Sequence, residues 1–336
     1  MNYNIMFVST VILVFAVTVL ILKKLIPVLK SKKMGQPILE IGPRWHKSKE
    51  GTPTMGGLSF IIPPVAIGGA GAAYIAVTDG IKTALPLILT LGLGLCGGLI
   101  GMIDDRAKLR KKQNEGLTAP QKFILQVIVS ALYLLGMTLV CGANTELYIP
   151  FVDRSIDIGI FYYIVAMLLL TGVINSVNLT DGIDGLCSSV TLVCGMFFTV
   201  VGYMNGLVEP DAGLAELGAV IIGGCAGFLV YNFYPARVFM GDTGSLFLGG
   251  LVVGGAFMMK NPLLVIVFGI VYIIETASVI LQVCYFKLTH GKRLFKMSPI
   301  HHHFEQCGWS EVKIVVVGMI VTIAASVLSF FLGINR

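Results

Sequence analysis

The chain has 336 residues, of which 56% are hydrophobic and only 12% charged, with a formal net charge of +6. Soluble domains carry roughly 25% charged residues to wet their surfaces, and a mean hydropathy of +0.87 puts this chain in a bilayer. A soluble enzyme, a disordered scaffold and a nucleic-acid-binding protein are thereby excluded, and the positive charge is a membrane-topology signal.

About 20 mostly apolar residues are needed to cross the hydrocarbon core as a helix. Ten stretches qualify in chain order: about Ile5–Leu22, Met55–Val77, Ala84–Ile103, Phe123–Val140, Gly159–Ile174, Ile183–Met204, Leu214–Tyr231, Ser245–Met259, Leu263–Phe286 and Val312–Gly333. The first has no cleavage site of small residues and is followed by Lys23 and Lys24, so it is expected to be a retained span. Between the fourth and fifth, Glu146–Phe151 and Ser155–Ile158 flank a polar turn, which predicts a small β-hairpin near 146–158. With the N-terminus outside, twenty Lys and Arg residues fall in cytoplasmic segments against four outside. The positive-inside rule therefore predicts outward termini and an extracytoplasmic hairpin. The fold class is an all-α polytopic membrane protein, with residues 1–336 as one membrane domain. Seven cysteines without CxxC or paired spacing indicate neither a disulfide framework nor a zinc site.

This topology gathers five aspartates and all five histidines on the cytoplasmic side. Asp104 and Asp105 close the third span, followed by Arg106 and Lys108. Adjacent carboxylates repel unless a cation neutralises them, so the pair suggests a divalent metal or proton handling, with the basic residues as phosphate partners. A solvated loop that uses mixed charge to stop a span is the alternative.

The run from Asn175 to Gly185 joins two spans with Asn175, Asn178, Asp181 and Asp184 and no basic residue. A purely topogenic loop would carry Lys or Arg. Tight turning and capping would explain the Asn and Asp residues, yet two amides and two carboxylates so close together suit hydrogen-bonding recognition better. Asp242 sits between glycines in Phe239-Met240-Gly241-Asp242-Thr243-Gly244-Ser245. Mg²⁺ commonly takes one or two protein carboxylates and completes its shell with water and phosphate oxygens. Asp242 suits that role, and it can cap the eighth span at the same time.

Two loops supply cations. One runs from Gly42 to Gly57 and contains Trp45, His46, Lys49 and Thr54. The other is Ser298-Pro299-Ile300-His301-His302-His303-Phe304-Glu305. Three consecutive histidines cannot converge on one zinc ion, but one or two can hydrogen-bond phosphate or relay protons. Positive-inside topology and headgroup contact explain the lysines and leave Trp45 and the histidines unexplained. Glu275 stands alone inside the ninth span, either functional or a neutral interhelical partner, with Gln282 two turns on and better placed for a substrate.

No Walker A loop, GxSxG elbow or HExxH occurs. Carboxylates of the Mg²⁺-binding kind, phosphate-binding cations and recognition amides at one membrane face suit phosphoryl transfer between a soluble nucleotide compound and a lipid, where catalysis is positioning and charge neutralisation. The Gly51–Gly57 stretch, Asp-Asp-x-x-Lys, Asn-Leu-Thr-Asp-Gly-x-Asp-Gly, Gly-Asp-Thr-Gly-Ser and the Ser298–Glu305 stretch occur here in one order over nearly the whole chain. Together they closely resemble the phospho-N-acetylmuramoyl-pentapeptide transferases, within the polyprenyl-phosphate N-acetylhexosamine-1-phosphate transferase superfamily. The resemblance implies transfer of phospho-MurNAc-pentapeptide from UDP-MurNAc-pentapeptide to undecaprenyl phosphate, giving lipid I and UMP in peptidoglycan biosynthesis. It further implies Mg²⁺ dependence, a homodimer and an active site at the cytoplasmic face of the bacterial inner membrane.

By motif match, Asp242 would bind Mg²⁺, Asp104 or Asp105 would deprotonate or orient the lipid phosphate, and His301 would support the phosphates. Lys49, Thr54, Lys108, Asn175, Asn178, Asp181, Asp184, Phe239, Gln282 and His302 would bind substrate, with a uracil ring on Phe239. Direct displacement is expected over an aspartyl intermediate, because a phosphate monoester is already anionic near neutral pH. A GlcNAc-1-phosphate transferase is the nearest rival and an ion-coupled transporter the rival from another class.

Overall fold

Long apolar runs at this density leave the backbone one way to satisfy its polar groups in a bilayer, the helix. The computed structural model describes residues 3–32, 49, 51–111, 116–152, 154–204 and 211–333. Ten of its helices are long and apolar enough to span a membrane. They are α1 (Tyr3–Ser31), α2 (Leu58–Thr78), α3 (Ile81–Lys111), α4 (Ala119–Leu139), α5 (Phe161–Thr180), α6 (Leu186–Tyr203), α7 (Ala212–Asn232), α8 (Gly241–Met258), α10 (Ile270–Leu288) and α12 (Glu311–Gly333). Two short α-helices, α9 (Val265–Phe268) and α11 (Ile300–Gln306), and a 3-10 turn at Pro262–Leu264 also lie among the described residues.

The hairpin forms as expected, β1 (Glu146–Ile149) pairing antiparallel with β2 (Arg154–Asp157) in the register Glu146↔Asp157 to Ile149↔Arg154. Asp153 in its turn and the stretch from Gly42 to Ser48, with Trp45 and His46, lie outside the described residues.

The glycine-rich α8 is the axis of the bundle. Every residue from Thr243 to Met258 is buried, so α8 has no lipid face to cover with large side chains. Its glycines admit neighbouring backbones instead, in the small-residue packing that membrane helices favour. A Cβ at Gly250 would press on the Gly94 backbone of α3, and one at Gly249 on the backbone of Ile174 in α5.

The ninth predicted span, Leu263–Phe286, differs from the structure. It divides at Gly269, whose φ of −90° and ψ of 20° leave the helical region between α9 and α10. The short α9 buries Val265, Val267 and Phe268, while α10 exposes Ile280, Leu281, Val283, Phe286 and Leu288. Glycine inside an apolar run lacks the side chain that would hold the helix straight, and it raises no flag in a hydropathy profile.

Candidate functional site

The site is built where α3 ends against the beginning of α8. Gly101 makes the close approach possible, since a Cβ there would overlap the Asp242 carbonyl. Gly241, with φ of +70°, turns the chain into α8. A helix N-terminus leaves orphan N–H groups, and Asp105 meets them from outside the helix. Its Oδ1 accepts from the Asp242 N–H at 3.2 Å, and its Oδ2 accepts from the Thr243 N–H at 2.9 Å and the Thr243 hydroxyl at 2.7 Å.

Asp104, one residue earlier, faces a different set of partners. Its Oδ1 accepts the Leu117 N–H at 2.6 Å and its Oδ2 pairs with Lys108 Nζ at 2.7 Å. The same Lys108 Nζ reaches Asp242 Oδ2 at 2.8 Å, and Lys122 Nζ reaches that oxygen at 2.9 Å. Asn178 Nδ2 donates to Asp242 Oδ1 at 2.8 Å and to Ser245 Oγ at 2.7 Å. Asp104, Asp105 and Asp242 present oxygen atoms within 4.8 Å of one another. Three carboxylates against two ammoniums leave one negative charge in excess at a buried junction, a set of hard oxygen donors able to hold a divalent cation.

The loop between α5 and α6 forms the next wall. Asp184 Oδ1 accepts Lys49 Nζ at 2.7 Å and its Oδ2 accepts the Ala236 N–H at 2.8 Å. Glu311, in the first turn of α12, accepts the same Lys49 Nζ at 2.7 Å and the Asp184 N–H at 2.9 Å. Asp181 has no hydrogen bond to its carboxylate among the described residues. Burial pushes its carboxyl well above the usual range, and the negative charges of Asp242, Asp105 and Asp184 push it the same way. Backbone bonds from Phe239 N–H to the Pro53 carbonyl and from Gly56 N–H to the Phe239 carbonyl, both 2.8 Å, set Phe239 on the rim. Thr54 is buried beneath it with an unpartnered hydroxyl. A cleft of about 220 Å³ results, lined by Lys49, Thr54, Asn178, Asp181, Asp184, Phe239 and Asp242 among others.

The histidine segment packs against the same loop. His301 is fully buried, with Nδ1 2.9 Å from Glu275 Oε2 and Nε2 against Gly182, where a Cβ would collide with it. His302 turns to Glu305 at 2.6 Å.

The structure thus brings together Asp104, Asp105, Lys108, Asn178 and Asp242 at the α3–α8 junction and Lys49, Thr54, Asp181, Asp184 and Phe239 around the adjoining cleft. Asn175 and Gln282 stand apart from both. Asn175 lies a turn deeper in α5 and exchanges hydrogen bonds with Gln126 at 2.6 and 3.3 Å. Gln282 binds the Leu294 and Phe295 N–H groups at 3.0 and 2.8 Å and lines a separate hollow of about 300 Å³.

Sequence reasoning missed Lys122 and Glu311 altogether and left Glu275 without a partner. Lys122 precedes an apolar run as any topogenic lysine does. Glu311 had one signal, an acid in the first turn of a helix.

The chain matches the model of glycosyl transferase family 4 over residues 85–260 and signature 1 of the phospho-N-acetylmuramoyl-pentapeptide-transferases over residues 49–61. It is 43% identical over 323 residues to the phospho-N-acetylmuramoyl-pentapeptide-transferase of Acetivibrio thermocellus, covering 95% of this chain and 93% of that one. The enzyme of the same name from Clostridium perfringens strain 13 is 44% identical, covering 96% and 97% of the two chains. That of Halalkalibacterium halodurans is 42% identical, covering 96% of each.

Proposed function

The chain belongs to the phospho-N-acetylmuramoyl-pentapeptide transferases, within glycosyl transferase family 4, and from that membership we propose that it moves phospho-MurNAc-pentapeptide from UDP-MurNAc-pentapeptide to undecaprenyl phosphate. The products are lipid I, for peptidoglycan, and UMP. The reaction runs at the cytoplasmic face of the bacterial inner membrane, because the cleft lies at the end of the bundle that carries most of the basic residues. The homodimer is retained as the assembly that the family implies.

The observation that carries this reading is the convergence of Asp242, Lys108, Lys122 and Asn178 beside a cleft of nucleotide scale. Phosphoryl transfer needs this kind of constellation, with cations for the phosphate oxygens and oxygen donors for a metal, all held in place beforehand. Asp242 and Asp104 fit Mg²⁺ as hard oxygen donors that share one lysine, whereas Asp105 braces the start of α8 by accepting the Asp242 and Thr243 N–H groups. Bound there, Mg²⁺ would neutralise charge on the diphosphate and on the departing UMP.

The protein's own residues supply the rest. Lys108 and Lys122 face phosphate oxygens, and the Lys49–Asp184–Glu311 clamp and the Phe239 ring hold the uridine side. Of the adjacent pair, Asp104 orients the lipid phosphate. An oxygen of that phosphate attacks the phosphorus attached to the sugar, the bond to the UMP oxygen breaks, and the electron pair leaves with UMP. The nucleophile is a phosphate monoester with a second pKa of about 6, already anionic at neutral pH, so direct displacement needs no aspartyl intermediate.

UMP release from purified protein with undecaprenyl phosphate and Mg²⁺ tests the proposal, with UDP-MurNAc-pentapeptide and UDP-GlcNAc run in parallel and Asp242→Asn as control. Release from the muramyl substrate alone, lost with Asp242→Asn and with a chelator, is expected. Release from UDP-GlcNAc instead would make the chain a GlcNAc-1-phosphate transferase. Silence with both would turn attention to transport.

A further inference from the structure

Glu275 is buried in α10, 3% exposed, and has no part in the chemistry above. Its Oε2 lies 2.9 Å from His301 Nδ1 and 3.4 Å from the His301 backbone N–H. An oxygen that already accepts the backbone N–H is placed as an acceptor for the ring as well, so Nδ1 is the ring nitrogen that carries hydrogen. Which nitrogen of a histidine is protonated follows from the bond the other one makes, and Nε2 is therefore the atom left to act.

That atom is fully buried with no partner among the described residues. It touches Gly182, a glycine of the cleft wall between Asp181 and Ile183. A buried polar nitrogen without a partner costs free energy that folding alone would remove by a different rotamer or residue. Its persistence beside a cleft built for phosphates points to a ligand oxygen as the missing partner.

We propose that Glu275 is a positioning residue for the transfer reaction, holding His301 by Nδ1 so that Nε2 meets the substrate at the Asp181–Gly182 wall. It resembles the carboxylate behind a catalytic histidine, which fixes tautomer and direction without touching substrate. The inference rests on the transferase reading of the cleft. It gives the acid inside the ninth predicted span a task without placing it on an ion path.

The test has a kinetic and a spectroscopic arm, both on the full chain in detergent or bilayers. In UMP release, Glu275→Leu is expected to lower kcat about 10- to 100-fold, the usual scale for removing a group that orients a functional histidine, with KM for the nucleotide substrate changed less than about threefold. Glu275→Gln keeps an acceptor for Nδ1–H and is expected to recover at least about a third of kcat. The double variant Glu275→Leu, His301→Gln should be no slower than His301→Gln alone, because a residue that acts only through His301 has nothing further to lose. Multiplicative losses in the double variant would overturn the proposal, as would a Glu275→Leu enzyme with normal kcat.

In the second arm, ¹⁵N spectra of imidazole-labelled wild type, with His301 assigned by its loss in His301→Gln, should show hydrogen on Nδ1. A bare Nδ1 refutes the proposal even if Glu275→Leu does not fold. A wild type that releases no UMP while Nδ1 carries hydrogen would sink the transferase reading and leave the pairing intact.

Discussion

At the hairpin end of the bundle a cavity of about 480 Å³ opens between the ends of α4 and α8 and the start of α5, with Met137, Phe257 and Met258 beside Glu146, Asp211 and Lys260. At the other end the cleft is about 220 Å³. Both contain acids and a lysine, so charge does not separate them, and the larger volume is not at the end where the motif residues meet. The reach of their hydrogen bonds does. Asp211 caps its own helix by accepting the Leu214 N–H, three residues on, and Asn144 accepts the Glu146 N–H, two residues on. In the cleft, Lys108 reaches Asp242 across 134 residues, Asp105 reaches Thr243 across 138, and Lys49 reaches Glu311 across 262. Local bonds are what any helix end or turn requires. Distant side chains meeting at one point require the whole fold, and they lie at the end to which the proposed transfer is assigned.

The comparison is sharpened most by separating the adjacent aspartates. Asp104→Asn is expected to cut UMP release on the order of 10³-fold, as loss of a preorganised charged group at a phosphoryl site does, with a smaller loss of thermal stability than at Asp105, since a single backbone N–H, that of Leu117, rests on its carboxylate. Asp105→Asn should lose activity and stability together. One of its two acceptor oxygens becomes an NH₂ facing the donors of Asp242 and Thr243, leaving a buried donor unsatisfied at about 1–3 kcal/mol. Parallel activity and thermal-unfolding curves decide the point. Equal stability in both variants would mean that α8 does not depend on Asp105.

A smaller effect is expected at the Lys49 clamp. Glu311→Gln keeps the shape and removes one of the two charges on Lys49, so KM for the nucleotide substrate should rise roughly tenfold, the scale of one charge-assisted hydrogen bond, while kcat holds. A fall in kcat at unchanged KM would put the clamp at the reacting phosphate and not at the uridine.

How far this contrast was legible in the sequence depends on the distance between partners. Ten apolar runs and the hairpin were visible because hydropathy and alternation are local. The division of the ninth span at Gly269 was not, since a glycine in an apolar run looks the same whether or not the helix bends. The Asp104–Asp105 pair was visible as a pair. Its division of labour depends on which carboxylate faces α8, which begins more than a hundred residues later.

Asn175 and Asn178 read as equivalent amides three residues apart. Only Asn178 reaches Asp242, and Asn175 meets Gln126. Glu275 stands out because an acid in a span is conspicuous, but its partner His301 is 26 residues away on another element. Lys122 and Glu311 carried no mark beyond ordinary topogenic and helix-end charge.

Stability and function should part at Asp181. Its carboxyl is raised by burial and by neighbouring acids above the ordinary 3.8, so the folded state holds that proton more tightly than the unfolded chain. A raised carboxyl stabilises fully only below its unfolded value, and that contribution is lost as pH rises through the folded value. Asp181→Asn removes the penalty. Its unfolding temperature should exceed that of wild type by on the order of 2 °C at neutral pH, and the gap should shrink as pH falls, while UMP release drops. A gap independent of pH would mean that Asp181 is not repelled in the folded protein.

The smallest effect is expected at the hairpin end, and it bears most directly on the contrast between the cavities. Ser155 lies on β2 and lines the larger cavity. Ser155→Trp would fill much of that space with an aromatic side chain while leaving every long-range bond of the cleft untouched. If the larger cavity is only where helix ends fail to fill space, UMP release should stay within about twofold of wild type, the range for substitutions away from packed or paired groups. A loss beyond that, in protein with wild-type thermal stability, would couple the two ends through α8, which runs from Asp242 at the cleft to Met258 at the cavity. The division between a working end and a merely unfilled one would then have to be given up.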